Sequence, residues 1–326
     1  MVSVPARLAE SLPMSDPAAT LAGSAHAKAI VIGEHAAVYG HPAIALPITP
    51  LRTMAEVQRS PGPLRLNSGG RSLPVSQLPP RFASVGVAAT TALEFFGLPP
   101  VDLEIVVRSG IPPQAGLGAS AAAAHAIVEA VRVYAGLPLD EASRFELVQT
   151  AERVAHGNPS GIDAQATRAR EPLLFADGVS TALPLDAPVW FVVADTGVRS
   201  STDEAVAGVR QFVDNNPDHG SALLERLGNL TRETAADLAH GHLADFGKRL
   251  TIAQETLTEL SVGHPAIDRL IGAAVGAGAA GAKLTGAGRG GCVIAVATDA
   301  DGAQQVQAAM TAAGAVAVWN VTAGAT

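Results

Sequence analysis

Ile111-Pro112-Pro113-Gln114-Ala115-Gly116-Leu117-Gly118-Ala119-Ser120-Ala121-Ala122 joins two segments of opposite character. The run before it, Val101 to Val107, alternates and reads as a strand. The run after it, Ala121 to Tyr134, has no Gly or Pro and reads as a helix. A glycine loop between a strand and a helix N-terminus aims unpaired backbone N–H groups, and the positive end of a helix dipole, at one point. A phosphate fits there. Gly116 and Gly118 let the backbone approach an oxyanion with no Cβ in the way. Ser120 puts a hydroxyl where a phosphate-bound metal would sit. The same residues also describe a turn that simply needs glycine, with Ser120 as a plain N-cap.

Outward from this loop, strands and helices interleave. Lys28 to Gly33 is a short apolar strand running into Glu34-His35, and polar side chains directly after a buried strand suit the mouth of a site. Strands follow at 43–48 and 53–58. Ser60 to Pro80, rich in Ser, Pro and Gly, reads as a solvent loop or hairpin tip. Helices are expected over 82–96 and 139–156, the latter capped by Asp140 and stopped by Gly157 and Pro159. A short strand is expected at 172–175, and a domain boundary near Ala187-Pro188. Beyond it come a strand at 189–194, helices from near Asp203 and over 221–240, 242–261 and 265–276, strands at 282–285 and 292–298, a helix at 302–313 and a last strand at 315–321. The class is mixed α/β, divided into an extension (1–22) expected to be poorly ordered, a domain over 23–188 and a second over 189–326.

The composition limits the function. With 326 residues, 48% hydrophobic and 16% charged, the chain can bury a large core. A net charge of −8 without a basic block argues against nucleic acid or an anionic membrane as partner. The single cysteine, Cys292, permits no internal disulfide and fits a reducing, cytoplasmic setting. No apolar run reaches membrane-spanning length.

Gly276–Gly281 and Gly286–Gly291 both match GxGxxG, but the first follows a helix and the second joins two strands, so neither has the context of a dinucleotide fold. The nearest match to a phosphate-binding P-loop, Gly276 to Lys283, has Ala282 where Lys is needed. The second turn remains notable: Gly286, Gly288, Gly290 and Gly291, with Ala287 and Arg289, exceed what a hairpin needs. They would let this half press against a ligand or against the first glycine loop, or they are a tight hairpin and close packing. Glu152, one helical turn before its helix ends, and Asp163, past a Pro-Ser-Gly turn, are the candidate carboxylates. A metal on a polyphosphate takes one or two protein oxygens, and Glu152 with Ser120 could supply them. Asp163 would then orient or deprotonate a hydroxyl. Each carboxylate also suits a salt bridge or a cap. Likewise Lys28 alone suits a snorkelling lysine, His35 a satisfied core histidine, and Thr202 an N-cap.

The ordered set KAIVIGEHAAVYGHPAIALPI, PPQAGLGASAAAA, AERVAHGNPSGID and KLTGAGRGGC resembles the small-molecule kinase family that includes galactokinase, homoserine kinase, mevalonate kinase and phosphomevalonate kinase. The resemblance runs from about residue 24 to 322. Gly33 to Gly40 is most similar to the first motif of mevalonate kinases, while the residues around Arg199 depart from the animal enzymes' Pro-Arg pattern and look more like the bacterial form. Galactokinases follow GEH with an Asp-Tyr-Asn pattern absent here, and homoserine kinases lack GEH.

The resemblance implies a two-domain α/β fold: an N-terminal mixed sheet with helices, a C-terminal ferredoxin-like α+β domain and an active site in the cleft between them. It implies ATP-dependent phosphorylation of the C5 hydroxyl of mevalonate, with Mg2+ as cofactor and a homodimer as the habitual assembly. Pro112, Gln114, Ala115, Gly116, Leu117, Gly118, Ala119, Ser120 and Ala121 would bind ATP. Ser120 and Glu152 would hold the metal. Asp163 would face the reacting hydroxyl, with Lys28 pairing to it, since an opposite charge within about 4–6 Å keeps a carboxylate ionised. Glu34, His35 and Thr202 would meet substrate, and Gly286, Ala287, Gly288 and Gly290 would close near the phosphates. Three departures stand out. Ala119 replaces a usual second Ser, and Ala25-His26-Ala27 replaces Ala-Pro-Gly. Arg289 replaces Gly and would either contact phosphate or point to water. The alternatives are another acceptor within the same family, or a non-catalytic relative that binds ATP or a metabolite.

Overall fold

The computed structural model describes residues 23–157 and 159–324; the 1–22 extension lies outside them. Seven strands form the first sheet: β1 (Gly23–Ile32), β2 (Ala43–Pro63), β3 (Arg65–Ser68), β4 (Arg71–Pro74), β5 (Val101–Ser109), β6 (Leu173–Ala176) and β7 (Val179–Ala182). Their order is β4-β3-β5-β2-β6-β7, with β1 paired to β2. The β3–β5 pair is parallel and the others are antiparallel. The helices α1 (Ala83–Phe95), α2 (Ala119–Ala135) and α3 (Glu141–His156) pack against β3 and β5 through Leu66, Leu103, Ile105, Leu93, Ile127 and Val148.

The strands expected at 43–48 and 53–58 are one continuous strand of 21 residues, β2. Pro47 and Pro50 within it donate no hydrogen bond. The sheet accommodates them: β6 pairs β2 only over Ala43–Ala45, and β5 pairs it only from Thr53 onward. Between those limits β1 is the pairing neighbour, and its register shifts between His26 and Ala27. Over 60–80 the chain takes the hairpin alternative rather than a solvent loop. β3 and β4 form a hairpin turned by Gly69-Gly70, and Leu64 and Leu66 are buried. Two further elements were not legible: β7 and the short helix α4 (Ile162–Ala166).

The second sheet is built from β8 (Val189–Asp195), β9 (Gly281–Thr285), β10 (Cys292–Ala297) and β11 (Ala317–Ala323), in the order β11-β8-β10-β9, all antiparallel. Between β8 and β9 run α5 (Thr202–Asn215), α6 (Pro217–Ala239), α7 (Leu243–Glu259) and α8 (Pro265–Gly276); α9 (Ala300–Ala312) connects β10 to β11. The order and connectivity are those of a ferredoxin-like sheet, as the resemblance implied. Among the described residues, no helix is long and apolar enough to cross a membrane.

The two sheets share one core. Ala27, Ile32, Ile44 and Leu46 of the first join Phe191, Val193, Leu284 and Ile294 of the second in a single buried cluster, with Leu117 of the glycine loop. The Ile30 N–H donates to Thr285 Oγ1 at 2.9 Å, tying β1 to β9. On its other flank β9 lies against α7 at backbone contact: a Cβ on Gly247 would sit 2.0 Å from the Ala280 carbonyl oxygen, and one on Gly281 2.2 Å from that of Gly247.

Helix propensity alone would make Gly247→Ala stabilising by about 1 kcal/mol. Because the added methyl meets backbone rather than a flexible side chain, we expect instead a loss of about 2–3 kcal/mol, read from the midpoint of urea unfolding. An unchanged or raised midpoint contradicts the close α7–β9 approach.

Candidate active site

Lys28 sits in a strand whose other residues are almost all buried, and its own side chain is only 6% exposed. Its ammonium donates to Asp163 Oδ1 at 3.0 Å and to the Gly116 carbonyl at 3.2 Å. Its backbone N–H donates to the Leu117 carbonyl at 3.1 Å. One residue therefore joins the strand, the glycine loop and the α4 carboxylate. Asp163 lies in the first turn of α4, and Thr167, at the end of that helix, donates its hydroxyl to the Asp163 carbonyl at 2.9 Å. Gly118 caps α2 in the left-handed region, with φ of 70°, and a Cβ there would come within 3.0 Å of both Lys28 and Thr167. Gly118, not Ser120, is thus the N-cap, and no side chain caps α2. The α2 amides are left free for a ligand. Within the loop, Pro113 and Gln114 are exposed and Ala115, Leu117 and Ala121 buried, while Pro112, Ala119 and Ser120 are half-buried.

Glu152 comes from the last turns of α3 and is 1% exposed; its Oε1 has no hydrogen-bond partner. Burial first, and then the neighbouring Asp163, push its carboxyl above the usual range, while His156, Ser120 and Lys28 act in the opposite sense. A cation placed here would relieve both destabilising influences. Among the described residues, no group of three His, Cys, Asp or Glu side chains could hold a metal by itself. The residues present fit an ion carried by a polyphosphate and held by one or two protein oxygens.

Glu34 and His35 stand in the turn after β1, and both are buried, at 5% and 6% exposure. Glu34 pairs with Lys283 of β9, leaving its Oε2 buried without a partner. His35 Nε2 lies 3.0 Å from the Ala287 carbonyl, which makes Nε2 the protonated nitrogen. The 286–291 turn thereby closes over Glu34-His35, and it also reaches the first glycine loop. A Cβ on Gly286, where φ is 85°, would lie 3.3 Å from Gly116 Cα. The turn contacts the glycine loop and is also closely packed: a Cβ on Gly288 or Gly290 would sit 2.3 Å from the Val262 carbonyl oxygen or 2.7 Å from that of Val198.

The pattern of the GHMP kinases N terminal domain matches residues 84–169, and that of the GHMP kinases C terminal domain matches 234–316. The mevalonate kinase of Aeropyrum pernix is 33% identical over 285 residues, covering 83% of this chain and 86% of its own length. That of Pyrococcus horikoshii is 33% identical over 297 residues, covering 84% of this chain and 88% of its own. The chain belongs to the GHMP kinase family. In three dimensions it is similar to L. major mevalonate kinase solved with R-mevalonate, with a TM-score of 0.81 and 23% identity, covering 95% of this chain and 98% of that one. At that identity the likeness shows the fold. The GHMP kinase family membership makes the chain a kinase that binds ATP, and ATP brings a divalent metal.

Several residues of this kinase gain neighbours that sequence reasoning did not supply. His156, read only as a helix end, lies 3.4 Å from Ser120 Oγ, 3.9 Å from Glu152 and 3.9 Å from Asp203 at the start of α5. The α5 N-terminus therefore borders the Ser120–Glu152 corner. Thr202 is exposed as the first residue of α5; the cap is Ser201, whose hydroxyl accepts from the Glu204 N–H. Arg289 is half-buried and does not simply point to water. Its guanidinium packs on α5, where a Cβ on Gly208 would sit 2.3 Å from it, and donates to the Glu204 carbonyl at 3.5 Å. Asp195, 1% exposed, is held by Arg199 through two bonds of 2.8 Å. For Lys283 the available signal was a lone charge inside an apolar strand.

Burial lowers the His35 pKa to about 4, with Lys283 and Arg289 adding to the effect. A histidine held neutral in the fold contributes stability above pH ~6.5, and loses it as pH falls toward the folded value. NMR of the His35 ring should therefore show no titration between pH 5.5 and 8. A midpoint above 6 contradicts the dry environment assigned to it.

Proposed function

We propose that the chain transfers the γ-phosphoryl group of ATP to the C5 hydroxyl of mevalonate, giving 5-phosphomevalonate and ADP. The observation that carries this reading is the Lys28–Asp163 pair, bonded to the carbonyl of the glycine loop at the N-terminus of α2. A binding module needs the loop but has no use for that pair. Mevalonate as acceptor is supported by the names of the curated relatives and by the Glu34-His35 turn.

The free amides of the loop and of α2 bind the ATP phosphates. Ser120 and Glu152 would hold Mg2+, which would neutralise charge on the phosphate oxygens. Asp163 accepts a hydrogen bond from the acceptor hydroxyl and aligns its oxygen with the γ-phosphorus. Lys28 fixes Asp163 in place through its second bond to Gly116. Lys28 is buried, and Asp163, its side chain 30% exposed, is the member of the pair open to an acceptor. Thr202, Asp203 and the 286–291 turn bound the phosphate end of the site. Phosphoryl transfer depends chiefly on positioning and charge neutralisation, and these residues supply both.

Offered mevalonate, phosphomevalonate, homoserine and galactose in parallel with ATP and Mg2+, the protein should release ADP with mevalonate alone. NMR of the product should place phosphate on the C5 oxygen. ADP release with a different acceptor overturns the substrate assignment, and ATP binding without release overturns the catalytic one. Asp163→Asn should lower kcat by about 100- to 10,000-fold with ATP affinity nearly unchanged. Near-normal turnover removes Asp163 from the mechanism.

A further inference from the structure

Lys283 occupies the centre of β9 between Ala282 and Leu284 and has no exposed surface. A charge there is costly unless it is paired and hydrogen-bonded. Its ammonium meets Glu34 Oε1 and the Leu284 carbonyl. Glu34 belongs to the turn after β1 of the first sheet, whereas β9 belongs to the second, so the pair crosses the junction at which the site is built. Apolar residues of similar volume usually serve stability as well as a buried ion pair or better. Lys283 also satisfies only one of the two carboxylate oxygens: Glu34 Oε2 stays buried with no partner. A buried acceptor without a donor costs free energy until a donor arrives. The groups acting on Glu34 are Lys283 from β9 and Lys28 from β1, with neutral His35 beside it.

We propose that Lys283 is a positioning residue for the acceptor substrate. It pins Glu34 by one oxygen so that the other, Oε2, accepts a hydrogen bond from an acceptor hydroxyl. At the same time it cancels the carboxylate's charge, so the pair exerts no net pull on an anion and selects a neutral hydroxyl donor. This rests on the kinase reading above and extends it to a residue outside the phosphate machinery. Lys283 touches neither nucleotide nor reacting atoms; it acts through Glu34.

The test compares Lys283→Met, which removes the charge and keeps the length, with the double variant Glu34→Gln, Lys283→Met. Lys283→Met should raise KM for the acceptor by about 10- to 100-fold, the cost of a hydrogen bond to a charged group. KM for ATP should stay close to wild type. Glu34, stripped of a cation that favours its ionised form, protonates more readily. The acid limb of kcat/KM for the acceptor should therefore move to higher pH, with activity recovering as pH rises. The double variant leaves no buried charge unpaired and serves if the single variant fails to fold. It should keep the raised acceptor KM and lose the displaced acid limb. A lower melting temperature with unchanged acceptor KM and pH profile would reduce Lys283 to a structural residue and overturn the proposal. So would a normal acceptor KM in the double variant. If wild type uses another acceptor than mevalonate, the substrate assignment fails, and the same comparison made with that acceptor still decides the role of Lys283.

Discussion

Lys28 is a charge in a strand that has almost no access to water, and the structure around it is arranged to satisfy that charge. Its ammonium needs acceptors, and it takes them from Asp163 and from the Gly116 carbonyl. The loop must therefore turn back onto β1, which Gly118 permits by bringing no Cβ against the lysine stem. Helix α4 must present its first turn to the same point, and Thr167 holds it there. The geometry of the glycine loop and that of the carboxylate are thus set by one side chain. A substitution at Lys28 would disturb both at once.

Around this point the charges do not balance within the protein. Glu34, Glu152 and Asp163 face Lys28 and Lys283, and both Glu152 Oε1 and Glu34 Oε2 lack partners. Orphaned buried oxygens are rare in native proteins and call for an explanation. A divalent cation at Glu152 and a hydroxyl donor at Glu34 would each supply one, at the two ends of a phosphoryl transfer. The second glycine turn brings the two sheets together over this cluster. It meets Gly116 backbone to backbone, and the His35 side chain through the Ala287 carbonyl.

Much of this was legible in the sequence where local chemistry is unambiguous. Asp140 caps α3 as expected, its side chain accepting from the Ser143 N–H, and Gly157 ends that helix. The four motifs in order implied the family, which the comparisons bear out, and with it the ferredoxin-like second sheet. The failures have a common cause: each depends on partners remote in the chain. The stretches 43–48 and 53–58 read as separate strands because the sequence does not show which parts of β2 lack a second neighbour. Lys283 read as the end of a failed phosphate loop because its partner, Glu34, is 249 residues away. His156 and Arg289 acquire meaning only where the start of α5 meets His156 and α5 meets Arg289 of the second turn.

The central claim is that the α2 N-terminus, Ser120–Glu152 and Lys28–Asp163 form one phosphoryl-transfer site under the 286–291 turn. A crystal structure with mevalonate, Mg2+ and a non-hydrolysable ATP analogue tests it most directly. The account predicts the triphosphate on the 112–121 loop, the metal between Ser120 and Glu152, and the C5 hydroxyl within hydrogen-bond reach of Asp163. A triphosphate seated away from that loop, or a C5 hydroxyl out of reach of Asp163, would contradict it.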